Sequence, residues 1–378
     1  MEVIIVEDLD PSSPKMGGVA GYSRKLLEYL LKTGIKTTLF GTGHSNGSFN
    51  SDNFTFMPVT HKKKFTGYEY LLKLTAKALF LRIPHSAIIH AQHPEYMLPF
   101  VLFHRKNPKI VAIRGPVLRE VKLKRRKIVR LIYEMAESLI LRHSDTVMTV
   151  DEATRQFYQQ HYPWLEKIRL IPTGVDLSKF KLLDRNSLRQ KHGFKPDDKV
   201  VAYVGRLEKE KSPDFLLGCF ELLVESVPGA MLVFIGDGRD RERLEGLVSG
   251  SRLKRAIFMG AQAPDQVPEI LNCADALALC SVYEGSPTVV KEALACGVPV
   301  VSTNVGDVSQ IIRDETLGRI AIRSKEDFAR ALASVLIRED REKVRMECAK
   351  AAEGFSFDHV GARTVELYKE LAGREACR

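Results

Sequence analysis

No run of 18 uncharged apolar residues occurs in the 378-residue chain, so a membrane-spanning helix is not expected. Met1 to Asp10 passes straight into a strand-like Val3-Ile4-Ile5-Val6, which leaves no charged and apolar leader to expect. Cysteine is scarce. The six residues Cys219, Cys273, Cys280, Cys296, Cys348 and Cys377 show no Cys-x-x-Cys spacing and mostly sit in apolar helix or strand patterns. That usage fits small buried hydrophobes in a reducing cytosol and argues against a disulfide framework or a zinc site. A Walker pattern is absent, and Gly236-Asp237-Gly238 lacks the third glycine of a dinucleotide fingerprint, so a redox Rossmann enzyme is disfavoured. Short repeats and low-complexity tracts are also missing, which excludes a solenoid.

Acidic residues are scarce in one half only. Residues 1–172 hold 26 Lys plus Arg against 15 Asp plus Glu, whereas the remainder holds 31 against 32, so the net +10 belongs to the N-terminal half. Its densest pieces are Lys62-Lys63-Lys64 and the run Lys122, Lys124, Arg125, Arg126, Lys127 and Arg130, which leads into an amphipathic helical pattern. Such a surface suits anionic lipid head groups, an acidic acceptor or nucleic acid, or is simply a solvated face. Nucleic acid is the weakest of these, because no aromatic interleaving, RNP-like motif or paired Cys/His cluster accompanies the charge.

What is present is a steady alternation of strand-like and helix-like runs. Val3-Ile4-Ile5-Val6 is followed by a glycine loop and a helical pattern, and later runs include Ala87–Ala91, Lys109–Gly115 and Thr146–Val150. From Lys199 the rhythm resumes through Val200–Gly205, Met231–Gly238, Ala256–Gly260 and Asp275–Ser281. Alternating βα units imply parallel sheets covered on both faces, and two such series imply two doubly wound domains. The length suffices for each to bury its own core.

The richest stretch is Glu284 to Val301. Ser286 suits a helix N-cap, Pro287 the first helical position and Gly297 the C-terminal cap, while Pro299 discourages continuation. Glu284 then precedes the helix and Glu292 lies about 9 Å along its axis from Ser286, at about 1.5 Å per residue. Between them, the free N–H groups near Thr288 and Val289 and the positive helix end invite an anion such as a diphosphate. The carboxylates can accept hydrogen bonds from sugar or ribose hydroxyls. A second cluster, Gly205-Arg206-Leu207-Glu208-Lys209-Glu210-Lys211-Ser212-Pro213, follows a strand pattern and precedes a helix for which Ser212 is the expected cap. A loop at the carboxyl end of a parallel strand is the expected ligand position in an open α/β sheet.

These residues resemble the retaining, nucleotide-sugar-dependent glycosyltransferases of the family 4 type (glycosyl transferases group 1). Their signature is two glutamates with seven residues between, then a small-residue helix and Gly-x-Pro-Val; here it stands as Glu284, Glu292 and Gly297-Val298-Pro299-Val300. The resemblance implies the GT-B fold, α/β, with two Rossmann-like domains facing a central cleft. It implies an acceptor-binding domain over 1–172, a nucleotide-sugar domain over 173–357, and a C-terminal helix over about 358–378 that crosses back to the first domain near Phe355-Ser356-Phe357. Ile171 to Asp176 resembles the interdomain linker. In this comparison Arg206 and Lys211 match the positions that bind the donor diphosphate, Glu292 the ribose and Glu284 the transferred sugar; Lys209 is a solvated neighbour. Arg206, Lys211 and Glu284 are thus the implied catalytic residues. Gly17 and Gly18 are placed against the donor phosphates, where glycine permits close backbone approach.

The sequence departs from the family at Arg114-Gly115, where relatives commonly carry His-Gly. A guanidinium only donates, so Arg114 is expected to meet a phosphate or carboxylate, with acceptor binding as its assigned role. Asp8-Leu9-Asp10 spells the metal-binding Asp-x-Asp of another transferase fold but follows a first strand here. His90 and His93, three apart, do not share one strand face. No metal and no other cofactor is expected. The expected reaction is transfer of a sugar from a nucleotide diphosphate donor to a hydroxyl of a lipid-linked, cell-envelope or otherwise anionic acceptor; the resemblance implies same-face attack assisted by the leaving phosphate, a mechanism that the residues themselves leave open. The expected location is cytoplasmic, peripheral to the inner face of the membrane, without nucleic acid. Two other readings stay open: a non-hydrolysing nucleotide-sugar epimerase, and a non-enzymatic basic protein that binds lipid or nucleic acid.

Overall fold

The computed structural model describes residues 1–11, 18–43, 51–62, 65–115, 118, 127–249 and 253–376. Gly17, Lys63, Lys64, Lys122, Lys124, Arg125, Arg126 and Cys377 lie outside the described residues. The chain divides into two compact units, Met1–Thr173 with Asp358–Arg378, and Gly174–Phe357.

In the first unit, seven strands form one parallel sheet: β1 (Glu2–Val6), β2 (Lys36–Thr42), β3 (Phe54–Thr60), β4 (Ile88–Ala91), β5 (Lys109–Ile113), β6 (Thr146–Thr149) and β7 (Ile168–Leu170). Their order is β3-β2-β1-β4-β5-β6-β7. Val3 pairs with Thr37 on one side and Ile88 on the other. The crossovers are α1 (Gly18–Lys32), α2 (Gly67–Phe80), α3 (Leu98–Phe103), α4 (Lys127–Arg142) and α5 (Glu152–His161). Side chains start two of them: Thr66 accepts from the Glu69 N–H, and Asp151 from the Thr154 N–H, satisfying donors that have no intrahelical acceptor. Apolar faces of α2 to α5 close over the sheet around Tyr70, Leu74, Phe100, Ile140 and Tyr158.

The second unit repeats the scheme with β8 (Lys199–Val204), β9 (Ala230–Ile235), β10 (Ala256–Gly260), β11 (Ala276–Leu279), β12 (Val300–Thr303) and β13 (Gly318–Ala321), ordered β10-β9-β8-β11-β12-β13. Every pairing is parallel, and Val201 faces Leu232 and Ala276. The period of two sends Val200 and Ala202 into one core with Val290 and Leu294, and Val201 and Tyr203 into the other with Phe220 and Leu332. The helices are α6 (Arg185–Lys191), α7 (Pro213–Ser226), α8 (Arg241–Ser249), α9 (Gln266–Cys273), α10 (Thr288–Ala295), α11 (Val308–Ile311), α12 (Lys325–Leu336) and α13 (Arg341–Glu353).

Both sheets are therefore doubly wound, and both reverse direction beside their first strand, at β1/β4 and at β8/β11. Loops at such a switch point diverge and leave a crevice beyond the carboxyl ends of the strands. The two segments that cross between the units run side by side. The Val175 N–H bonds to the Phe355 carbonyl and the Phe357 N–H returns to the Val175 carbonyl, each at 2.8 Å. The last helix, α14 (Phe357–Ala376), then packs within the first unit. Its Tyr368 is buried and meets His90 Nδ1 at 2.7 Å, and its Arg363 donates to the Leu170 carbonyl. Cys219, Cys273, Cys280, Cys296 and Cys348 are free and buried, and burial pushes the Cys280 thiol up to about 12, so these thiols behave as apolar packing.

Candidate functional site

In the second unit, the loops after β8 and β11 flank the switch point and are tied to one another. The Val282 N–H bonds to the Glu210 carbonyl at 2.8 Å, and the Cys280 thiol lies against the Lys211 and Ser212 carbonyls. From β13's far end Arg323 reaches across both, donating to the Cys280 carbonyl at 2.7 Å and to Ser212 Oγ at 2.7 Å. This stapling brings together residues that lie 73 apart in the chain: Lys211 Nζ meets Glu284 Oε1 at 2.6 Å, and Ser281 Oγ donates to the same oxygen at 2.6 Å. Arg206 is more open, 61% exposed, and forms ion pairs with Glu208 at 3.0 Å and Glu210 at 3.5 Å. Lys209 sits in the short 3-10 turn before Ser212.

The cap residues differ from expectation. Ser286 is not the N-cap of α10. The helix begins at Thr288 with Pro287 at the cap position, because the Ser286 hydroxyl is drawn away: it donates to Asp307 at 2.5 Å and accepts from Lys291 Nζ at 2.6 Å. Lys291 is fully buried, and burial lowers its pKa against the opposing pull of Asp307. This buried Ser–Lys–Asp cluster pins the Glu284 loop to α10. Gly306 completes the anchorage, since at φ +55° a Cβ there would lie 1.8 Å from the Gly285 carbonyl oxygen. At the other end, Gly297 takes φ +76°, its N–H bonding to Leu294 and that of Val298 to Ala293, a Schellman cap as the sequence predicts. Ser212 occupies its expected place before α7, but in the left-handed region at φ 53°, and its hydroxyl donates to the Lys209 carbonyl instead of capping the helix.

Thr288 and Val289 form the first turn of α10, whose N–H groups have no intrahelical acceptor. Glu292 is partly buried one turn on. Burial pushes its pKa up to about 7, against a hydrogen bond from Thr288 that lowers it. Glu284 and Glu292 thus have separate partners, one in the loop and one on the helix. A carboxylate, two cations and an open helix start lie at one sheet edge. Chemically, that set can hold a polyanion and accept bonds from hydroxyls.

In the first unit, Gly18 begins α1 beyond β1. The β4 loop carries a buried chain of contacts in which His90 Nδ1 meets the Tyr368 hydroxyl, His90 Nε2 lies 3.2 Å from the Gln92 amide, and Arg114 donates to Gln92 Oε1. Burial, then the Arg114 charge, lowers the His90 pKa to about 3, so its imidazole is neutral. The Arg114 guanidinium stacks on the Tyr22 ring, 3.5 Å from its centroid. His93 is separate from His90. It lies 3.7 Å from Glu7, and although burial lowers its pKa, the bond and charge of Glu7 raise it further, to about 9. Glu7, Asp8 and His93 present ligand atoms within 4.8 Å of one another, a spacing that could hold a metal ion.

Two family models together span most of the chain: Glycosyltransferase Family 4 over residues 16–179, and Glycosyl transferases group 1 over 184–355. The chain belongs to the GT-B glycosyltransferases. A D-inositol 3-phosphate glycosyltransferase of Nocardia farcinica is 30% identical over 62% of this chain and 54% of its own length. The chain thus spans about half the length of such curated relatives. An uncharacterized glycosyltransferase of Methanocaldococcus jannaschii matches at 25% identity over 95% of this chain and 96% of its own. Among solved structures, sucrose-phosphate synthase from Thermosynechococcus elongatus superposes with a TM-score of 0.82 at 20% identity, covering 99% of each chain.

In this chain the supporting residues Arg323, Ser281, Lys291 and Asp307 carried little signal in the sequence. Only Lys291, a lysine on the apolar side of a short helix, carried a local signal. Arg323 carried none, because its partner Ser212 is 111 residues away.

Proposed function

We propose that the chain transfers a sugar, with retention, from a nucleotide diphosphate donor held by the second unit to a hydroxyl acceptor chosen by the first. The contact of Lys211 with Glu284 at the β8/β11 switch point, with Arg206 and the start of α10 beside it, is the observation that carries this reading. Arg206 and Lys211 neutralise the leaving diphosphate, exchanging their carboxylate partners for phosphate oxygens. The N–H groups of Thr288 and Val289 bind the same group, and Gly17 and Gly18 are the further residues assigned to the donor phosphates. Glu292 accepts from the ribose hydroxyls and Glu284 from the sugar. A bond forms from the acceptor oxygen to the anomeric carbon while the bond to the diphosphate oxygen breaks, and the acceptor proton passes to the leaving phosphate. Fixed cations aimed at that oxygen stabilise charge developing in the transition state, and no metal is assigned to the step.

For the acceptor we infer an anionic, lipid-linked or cell-envelope precursor met at the inner face of the membrane. The excess of Lys and Arg in residues 1–172 supports the anionic character of that acceptor, as does the phosphorylated inositol named for the Nocardia relative. Arg114, held by Gln92 and Tyr22, is the residue proposed to meet acceptor charge. No helix among the described residues is long and apolar enough to cross a membrane; the contact proposed here is peripheral. Thermal unfolding with a panel of UDP-, GDP- and ADP-sugars tests the proposal. The true donor at about 100-fold saturation should stabilise by about 2.7 kcal/mol. An isomerised nucleotide sugar formed with donor alone would point instead to an epimerase, and indifference to the whole panel would defeat the reading.

A further inference from the structure

Helix α4 is built the wrong way round for a helix facing water. Its inward side carries Glu137 with Ile140 and Leu141, and the Glu137 carboxylate accepts from Tyr158 at 2.9 Å, Tyr162 at 2.9 Å and Tyr133 at 3.3 Å. Its outward side carries Ile128, Leu131, Ile132, Met135 and Leu139, at the 3- and 4-residue spacing of a single stripe, each between 38% and 65% exposed. The neighbouring helices extend this character. α2 packs beside α3 and α3 beside α4 over one core, and Tyr68, Leu72 and Phe80 of α2 are 72%, 53% and 84% exposed. Large apolar side chains exposed in a stripe along one helix, and again on a helix of the same layer, mark a candidate interaction face.

Charge identifies the occupant. In a parallel βα unit every crossover helix runs against its strand, so α2, α3 and α4 end at the same edge of the sheet. Exposed Arg82 follows α2, exposed Arg105 and Lys106 follow α3, and Arg142 closes α4. The acidic residues on these faces are already engaged, Glu69 by Lys62 and Lys73, and Glu134 by Arg130. A second copy of the chain would set these like charges against one another, at a cost in a two-fold interface. An anionic bilayer matches both features at once, apolar side chains entering the acyl boundary and cations meeting the head groups.

We propose that the outward stripe of α4, with the exposed side chains of α2, is a docking surface that inserts shallowly into an anionic membrane leaflet. The proposal rests on the reading that the acceptor is membrane-borne, and it places the first unit, which chooses that acceptor, against the surface carrying it.

Sedimentation with vesicles of phosphatidylglycerol and phosphatidylcholine, at about three to seven, tests it. The wild-type chain should co-sediment, less so with added salt and less with pure phosphatidylcholine. Ile132→Ser with Met135→Ser, both at exposed positions, should lower vesicle partition at least about tenfold, with thermal unfolding and nucleotide binding unchanged. Arg105→Gln with Lys106→Gln should weaken adsorption most at low salt. Absence of wild-type adsorption, or adsorption indifferent to the α4 pair, overturns the proposal, as does a dimer in solution that the α4 pair dissociates. Nucleotide-sugar turnover without adsorption overturns the docking alone, whereas adsorption that tracks these substitutions supports it even if no nucleotide sugar is turned over.

Discussion

Replacing Lys211 by Ala removes the cation that joins the two switch-point loops through Glu284. At 2.6 Å the pair gains about 6 kcal/mol of direct attraction at an effective dielectric near 20, most of which the dehydration of both groups offsets. Ser281 still donates to Glu284 in the variant, so the fold should lose only about 1–2 kcal/mol, a melting shift of a few degrees. The kinetic loss should be larger. If Lys211 stabilises the leaving diphosphate, kcat should fall by about 10² to 10³, equivalent to about 2.7–4 kcal/mol of transition-state stabilisation. Glu284→Ala and the double variant separate this role from a purely structural one. A lysine that merely positions Glu284 predicts a double variant no worse than either single variant; a lysine acting on the diphosphate predicts a clearly greater loss. Steady-state kinetics with the donor found by the thermal panel measures all four forms. Wild-type kcat in Lys211→Ala, or a double variant equal to the singles, would refute the assigned role.

Glu292 should impose a pH dependence on nucleoside diphosphate binding. Burial brings its acid to about 7, and only the carboxylate accepts from both ribose hydroxyls, so affinity should rise between about pH 6 and 8; Glu292→Gln should flatten that profile and weaken binding about tenfold by calorimetry, and a sloping profile in the variant would contradict the assignment. Glu137, almost fully buried, has its pKa pushed up to about 7 by burial against three tyrosine hydroxyls that lower it, so its stabilisation of the fold is complete below about pH 4.5 and lost as pH rises through 7. Glu137→Gln should therefore match the wild type near pH 4 and exceed it by up to about 3 kcal/mol at pH 9, and denaturant melts showing no such crossover would remove Glu137 as a titrating core group.

The sequence by itself determined the class of fold and the positions of its elements, because both are written in short-range terms. Alternating apolar strands and helical patterns imply parallel doubly wound sheets, and Gly297 with Pro299 marks the end of α10 through local backbone preference alone. The local placement of the candidate site residues was also legible: Glu284, Arg206 and Lys211 lie in loops or turns, and Glu292 lies one turn into α10. Tertiary structure alone decided how they are held. Ser286 reads as a cap by its type and place, yet a buried Lys291 and an Asp307 that lies 21 residues beyond the serine claim its hydroxyl, a competition no local window contains. Arg323 and Ser212, or His90 and Tyr368, meet only after the chain has crossed whole strands, so their partnership follows from strand order. The outward apolar stripe of α4 was ambiguous for the same reason. Its pattern shows two faces, but which one turns inward depends on the tyrosines of and beyond α5 that surround Glu137, and those arrive only with the fold.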